Sequence, residues 1–154
     1  MPTPTPDDQV LALEAFLPYR LNRLAEDVSR NFSRIYSDRF GLTRPEWRLL
    51  ATLGQYGTMT ATAVGQHSAM HKTKVSRAVA ALQQRHWLTR TPDEADRRIE
   101  HLRLTNAGLG AYREMVPLAK AFEAKLLAAL PNADREAVIR LITQLAAASR
   151  TIPR

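Results

Sequence analysis

Ala69-Met-His-Lys-Thr-Lys-Val-Ser-Arg-Ala-Val-Ala-Ala-Leu82 divides into two faces at helical spacing. Val75, Val79 and Leu82, with Ala78 beside them, fall on one apolar stripe. Thr73, Ser76 and Arg77 fall on the opposite face, flanked by Lys74, and Lys72 sits in the first turn, where a side chain still reaches outward. Lysine and arginine neutralise phosphate or bond guanine edges, and serine and threonine bond phosphate or base. The outward set therefore has the chemistry of a helix that enters a major groove. An amphipathic helix with an ordinary solvated basic face would carry the same pattern, so the neighbouring segments have to separate the two readings.

Upstream, Thr43 followed three residues later by Glu46 forms a capping box, with Pro45 tolerated in the first turn, and predicts a helix from Arg44 to about Leu53. Gly54 and Gly57 are expected to break it. Thr60 then caps a short helix from Ala61 to about His67, and a turn over Ser68 to His71 leads into the basic helix. Two short helices joined by a tight turn make a helix-turn-helix. Downstream of Arg85 the period changes: Trp87 to Thr91 and Ile99 to Leu104 read as strands around the charged loop Pro92-Asp-Glu-Ala-Asp-Arg-Arg98. Ribbon and helix together predict a winged helix-turn-helix.

The flanks are helical. Met1 to Pro6 alternates Pro and Thr and is expected to be a disordered or extended lead. A helical pattern starts at Val10 and continues after Pro18 through Leu21, Leu24, Val28, Phe32 and Ile35, as a short helix and a long one or as one kinked helix. Gly41 suits a left-handed cap at its end. Thr105 caps a further helix with Tyr112, Met115, Val116, Ala119, Phe122, Leu126 and Leu130 on its apolar side and a bend expected at Pro117. Pro131 and Asn132 open a last helix with the stripe Val138, Leu141, Ile142, Leu145. The expected fold is mainly α with a small β-hairpin wing. A winged helix-turn-helix domain over 41–104 joins a helical dimerisation region made from 7–40 and 105–150, so a homodimer is expected.

With 154 residues, 45% of them hydrophobic, the chain is long enough to bury a core. Its net charge of +7 points to an anionic partner, and charge alone does not choose among nucleic acid, a membrane surface and a polyanionic ligand. No apolar run reaches the roughly 20 residues of a membrane span and the N-terminus does not read as a signal peptide, so the expectation is a soluble cytoplasmic protein with no membrane partner. The sequence holds no cysteine, which excludes disulfides and thiolate metal sites. It shows no Walker loop, dinucleotide fingerprint, His-Glu-x-x-His or nucleophile elbow, so neither an enzyme nor a cofactor is expected.

Four stretches in this order and spacing resemble the MarR family of bacterial transcription regulators over nearly the whole chain. They are Phe40-Gly-Leu-Thr-Arg-Pro-Glu-Trp47, Lys72-Thr-Lys-Val-Ser-Arg-Ala78, the triplet Asp96-Arg97-Arg98, and Leu104-Thr-Asn-Ala-Gly108. The resemblance implies a winged-helix homodimer on a near-palindromic operator in double-stranded DNA, with paired recognition helices in successive major grooves and wing arginines in the flanking minor grooves. The DNA contacts carried over are Lys72, Thr73, Lys74, Ser76, Arg77, Arg97 and Arg98. Arg98 is assigned to the minor groove, while Arg97 could contact phosphate or pair with Asp96 to set the wing tip. One position departs from the family pattern: His71 stands where an aspartate commonly caps the recognition helix. An imidazole is a weaker cap, which leaves His71 to face phosphate.

The resemblance also implies a cleft for small aromatic acids between the dimerisation helices and the winged domain. The corresponding stretches hold Tyr19, Arg20, Arg23, Trp47, Arg48 and Tyr112, aromatic rings and guanidinium groups suited to an aromatic carboxylate. Trp47 and Tyr112 are equally suited to be core residues. Tyr19-Arg20 with Phe40 to Trp47 is similar to a branch of the family that responds to hydroxycinnamoyl-CoA thioesters. Arg30, Arg34 and Arg39 would then face a CoA phosphate, a DNA phosphate or solvent. Alternatives are a metal-responsive regulator, for which His67 and His71 have i, i+4 spacing but no nearby acidic ligand, and a basic helical protein-interaction scaffold. No metal site is expected.

Overall fold

The computed structural model describes residues 9–154; the lead expected over residues 1–6 lies outside them. The chain divides into two compact units, one ending at Tyr112 and one comprising Arg113–Arg154.

In the first unit the helical run expected from Val10 shrinks to one 3-10 turn, Leu13–Ala15, because Phe16 is extended and α1 (Leu17–Phe40) begins only after it. Pro18 lies in the first turn of α1, where its missing N–H has no intrahelical partner to lose. Gly41 ends the helix at φ 65°. Its N–H donates to the Ser37 carbonyl (2.8 Å), the αL closure, and the N–H of Leu42 donates to the Tyr36 carbonyl (3.1 Å).

The capping box forms as read. The Glu46 N–H donates to Thr43 Oγ1 (3.4 Å) and the Thr43 N–H to Glu46 Oε2 (3.0 Å), starting α2 (Arg44–Tyr56). Gly54, expected to break this helix, lies inside it, and the helix stops at Gly57, φ 77°. The reason is packing: a Cβ at Gly54 would come within 2.5 Å of the Tyr112 ring, so glycine serves a close approach there and not a turn.

A short strand, β1 (Met59–Thr60), precedes α3 (Ala61–Ser68), whose cap is the bond from the Ala63 N–H to Thr60 Oγ1 (3.1 Å). Ala69 turns the chain at φ 52°, and α4 (Lys72–Gln84) follows directly after the turn expected over Ser68 to His71. β2 (Leu88–Pro92) is displaced by one residue from the expected strand, and β3 (Glu100–Leu104) starts one residue later and ends as expected. Trp87 instead closes the end of α4, its N–H donating to Leu82, and Ile99 closes the wing loop. The expected two-stranded hairpin is a three-stranded antiparallel sheet of order β1-β3-β2, with Met59 opposite Leu102 and Leu88 opposite Leu104.

The core lies among α2, α3, α4 and the sheet. Leu49, Leu50 and Leu53 of α2, Val64 of α3, Val75, Ala78, Val79 and Leu82 of α4, and Leu88, Leu102 and Leu104 are buried. Each large side chain here contributes about 1.5–3 kcal/mol of burial. The apolar stripe of the basic helix is thus consumed by the core, which fixes its opposite face outward.

α5 (Asn106–Ala128) crosses the unit boundary and runs through Pro117 as one helix. Thr105 caps it, accepting the Gly108 N–H at 3.1 Å. In the second unit α6 (Asn132–Thr151) has no buried residue, and Arg135 donates to the carbonyls of Leu130 (3.0 Å) and Ala128 (3.5 Å). Ile139, Leu141, Ile142 and Leu145 of α6 are exposed, as are Leu13, Phe16, Leu21 and Leu24 near the start of the chain. No helix among the described residues is long and apolar enough to cross a membrane.

Candidate nucleic-acid interface

Burial of Val75, Ala78, Val79 and Leu82 leaves Lys72, Thr73, Lys74, Ser76 and Arg77 exposed together on α4. None of them is engaged in an ion pair among the described residues. His71 occupies the N-cap position without a side-chain capping bond, as its chemistry implied, and is exposed.

The wing is ordered by its own acids. Asp93 Oδ1 lies 2.9 Å from His101 Nε2, and Oδ2 accepts the N–H groups of Ala95 and Asp96, each at 3.0 Å. The His101 bond, followed by those backbone donors, holds the Asp93 carboxyl below the usual carboxylate range. At the tip the pairing considered for Arg97 falls to Arg98. Its Nε and Nη2 meet Asp96 Oδ1 and Oδ2 at 3.0 and 3.1 Å, and its backbone N–H also reaches Oδ1 at 3.1 Å. In a tight turn residue i+2 folds back over residue i, so Arg98 and not its neighbour meets the carboxylate. Asp96 is held below the usual carboxylate range by the same guanidinium, and then by that N–H. Arg97 is exposed with no ion pair among the described residues. The Arg98 side chain remains 90% exposed, so the fork can exchange its carboxylate for a phosphate.

The six residues considered for an aromatic acid do not share one cavity. Tyr19, Arg20 and Arg23 line a cleft of about 690 Å³ with Leu17, Leu21 and Leu24 and with two carboxylates, Glu14 and Asp27, within the usual size range of small-molecule sites. Trp47 stacks on buried Tyr36 (5.9 Å, 11° between planes) and meets Phe32 edge-on at 5.0 Å, so most of its surface serves an aromatic cluster. Its remaining edge lines a shallow cleft with Arg48, Thr52, Gln55 and His67. Tyr112 lies against Gly54. Of the histidines, His67 bonds the Tyr56 hydroxyl at 3.0 Å. Among the described residues no group of three His, Cys, Asp or Glu side chains is placed to hold a metal ion.

Sequence reasoning missed Arg85. Its guanidinium donates to the carbonyls of Phe40 and Gly41, each at 2.7 Å, and lies 5.0 Å from the centre of the Trp87 ring. It thereby ties the end of the basic helix to the end of α1, and no local pattern announces a partner 45 residues away. Asp93 was findable, since aspartate after proline at the start of a loop favours turns closed by its own carboxylate.

Residues 40–99 match the MarR family. The HTH-type transcriptional repressor MdtR of Bacillus subtilis is 25% identical over 114 residues, 74% of either chain. The MarR family transcriptional regulator SPO1453 of Silicibacter pomeroyi is 30% identical, with a TM-score of 0.73 over 89% of this chain and 99% of that one. BpsR of Bordetella bronchiseptica, whose DNA binding is regulated by 6-hydroxynicotinic acid, shares the fold at a TM-score of 0.78 and 24% identity, covering 89% of this chain and 97% of that one.

Proposed function

Because the chain belongs to the MarR family of DNA-binding transcriptional regulators, we propose that it is a repressor that binds a palindromic operator as a homodimer and is released by a small aromatic acid or its CoA thioester. The observation that carries the reading is the exposed, unpaired set Lys72, Thr73, Lys74, Ser76 and Arg77 on a helix whose other face is core. Arg98 on the wing supplies the minor-groove contact, and Arg97 beside it contacts phosphate. The repressor assignment follows the likeness to MdtR.

Dimerisation is supported by the exposed apolar residues of the terminal helices, Leu21, Leu24, Ile139, Leu141, Ile142 and Leu145, which a second copy would cover. The effector class is supported by the cleft of Tyr19, Arg20 and Arg23, where a ring and two guanidinium groups stand among leucines with Glu14 and Asp27 at the same wall, and by the likeness to a regulator controlled by an aromatic acid. Arg30, Arg34 and Arg39 are exposed on the same helix and would serve a CoA phosphate.

The test is selection of duplexes from a random pool, followed by anisotropy titration with and without 6-hydroxynicotinate, 4-hydroxycinnamate and its CoA thioester. The reading expects a palindromic consensus bound as a dimer and weakened 5- to 150-fold by an effector, on the order of 1–3 kcal/mol of coupling. Equal affinity for the selected and random duplexes would refute the operator. Unchanged affinity with every acid and thioester would refute the effector class.

A further inference from the structure

We propose that Arg44 and Arg48 belong to the DNA interface: with His71 and Lys74 they form a cationic cleft that holds one phosphodiester of the duplex backbone. The inference rests on the operator-binding reading above, and it moves Arg48 from the effector site to the DNA.

Arg44 and Arg48 stand four residues apart at the start of α2, hence on one helix face. His71 caps α4 and Lys74 lies in its first turn. Packing of α2 against α4 brings all four to the wall of one cleft, completed by Pro45 and Met70. No aspartate or glutamate lines it. Arg44 is already positioned by Glu26 at 3.3 Å, whose carboxylate holds the guanidinium protonated even more firmly than usual, with the Tyr36 hydroxyl assisting. Arg48, His71 and Lys74 have no carboxylate partner among the described residues. Bringing the Arg48 and Lys74 charges together beside Arg44 with no carboxylate of their own is unfavourable unless an anion is shared among them. Lys74 is also part of the outward face of α4, so an anion in the cleft lies on the strand bordering the groove that this helix enters. A phosphodiester fits that place and fixes the register of the protein on the duplex without reading sequence.

Arg48 also lines the neighbouring cleft beside Trp47, so an effector contact is the rival assignment, and salt dependence separates the two. Each phosphate contact contributes about 0.9 to the slope of log affinity against log salt. Because the homodimer carries two copies of the cleft, Arg48→Ala should lower that slope by about 1.8, so that raising salt from about 50 to about 200 mM weakens binding by a factor about 12-fold smaller than in the wild type. Selected and random duplexes should lose affinity by the same factor, and Arg48→Lys should restore most of the slope. Arg44→Ala should act in the same direction. Circular-dichroism melting confirms that each variant is folded, and Arg48→Gln serves if the alanine variant is not.

A folded Arg48 variant with the wild-type slope overturns the inference, and weakened 6-hydroxynicotinate binding in that variant would place Arg48 at the effector site. A loss confined to the selected duplex overturns it too, because Arg48 would then be reading bases. If wild-type protein fails to prefer any selected duplex, the operator reading fails, and slopes on random duplex still decide the phosphate contact.

Discussion

Replacing Arg85 with alanine removes a tie between two helix ends, and its cost can be worked from the contacts. Two guanidinium bonds of 2.7 Å are lost, one to the half-buried Phe40 carbonyl and one to the exposed Gly41 carbonyl. Water replaces the second with little loss. The first leaves an acceptor partly shielded from solvent, at about 1–3 kcal/mol. The Trp87 contact adds about 0.5–1 kcal/mol. The sum is about 1.5–4 kcal/mol, against the 5–15 kcal/mol typical of a folded domain. For a chain of this size that corresponds to about 3–16 °C in melting temperature. Arg85→Lys keeps a charge near the negative end of α1 but loses the planar fork, so it should retain about half of the stabilisation. The assay is thermal and urea unfolding at one fixed protein concentration, since oligomerisation shifts both midpoints. A folded Arg85→Ala variant within 0.5 kcal/mol of the wild type, a difference about the size of an ordinary surface substitution, would refute the claim that this side chain joins α1 to the basic helix.

At Gly108 a Cβ would lie 2.2 Å from the Trp87 carbonyl oxygen, backbone against backbone, so Gly108→Ala should destabilise by at least about 1–3 kcal/mol in urea unfolding, and shortening Trp87 should not rescue it. The acid response of the wing follows from Asp93, whose folded-state pKa is depressed: its contribution is complete above the unfolded carboxylate range and is lost as pH falls through the lower folded value. Amide-exchange protection at Ala95 and Asp96 should therefore be steady above the ordinary carboxylate range and fall below it, and Asp93→Asn should remove that dependence; protection that collapses instead near neutral pH would contradict the assignment.

The sequence was most legible where a local pattern and the tertiary environment ask for the same thing. The stripe Val75, Ala78, Val79, Leu82 is buried as its spacing implied, and the caps at Thr43, Thr60, Thr105 and Gly41 form because each satisfies helix-end groups within a few residues. Gly54 misled because its reason is the Tyr112 ring, remote in sequence. β1 was invisible: two residues cannot display an alternating period, and Met59 and Thr60 become a strand only because Leu102 and His101 lie opposite. The effector residues were chosen by chemistry, ring plus guanidinium, which does not say whether a ring faces a cavity or, like Trp47, a neighbouring aromatic.

The three-stranded sheet also bears on how this chain avoids sticking to itself. A wing that must reach outward cannot be buried, and an open strand edge invites another chain to pair with it. Here both edges are poor templates. β1, at one edge, is two residues long. β2, at the other, is exposed from Thr89 to Pro92, carries Arg90 paired with Glu100, and ends in a proline that offers no N–H to an incoming strand. The ribbon can therefore stay uncovered without seeding aggregation, and replacing Pro92 with a β-branched residue would remove that safeguard at the end of the strand nearest the wing tip.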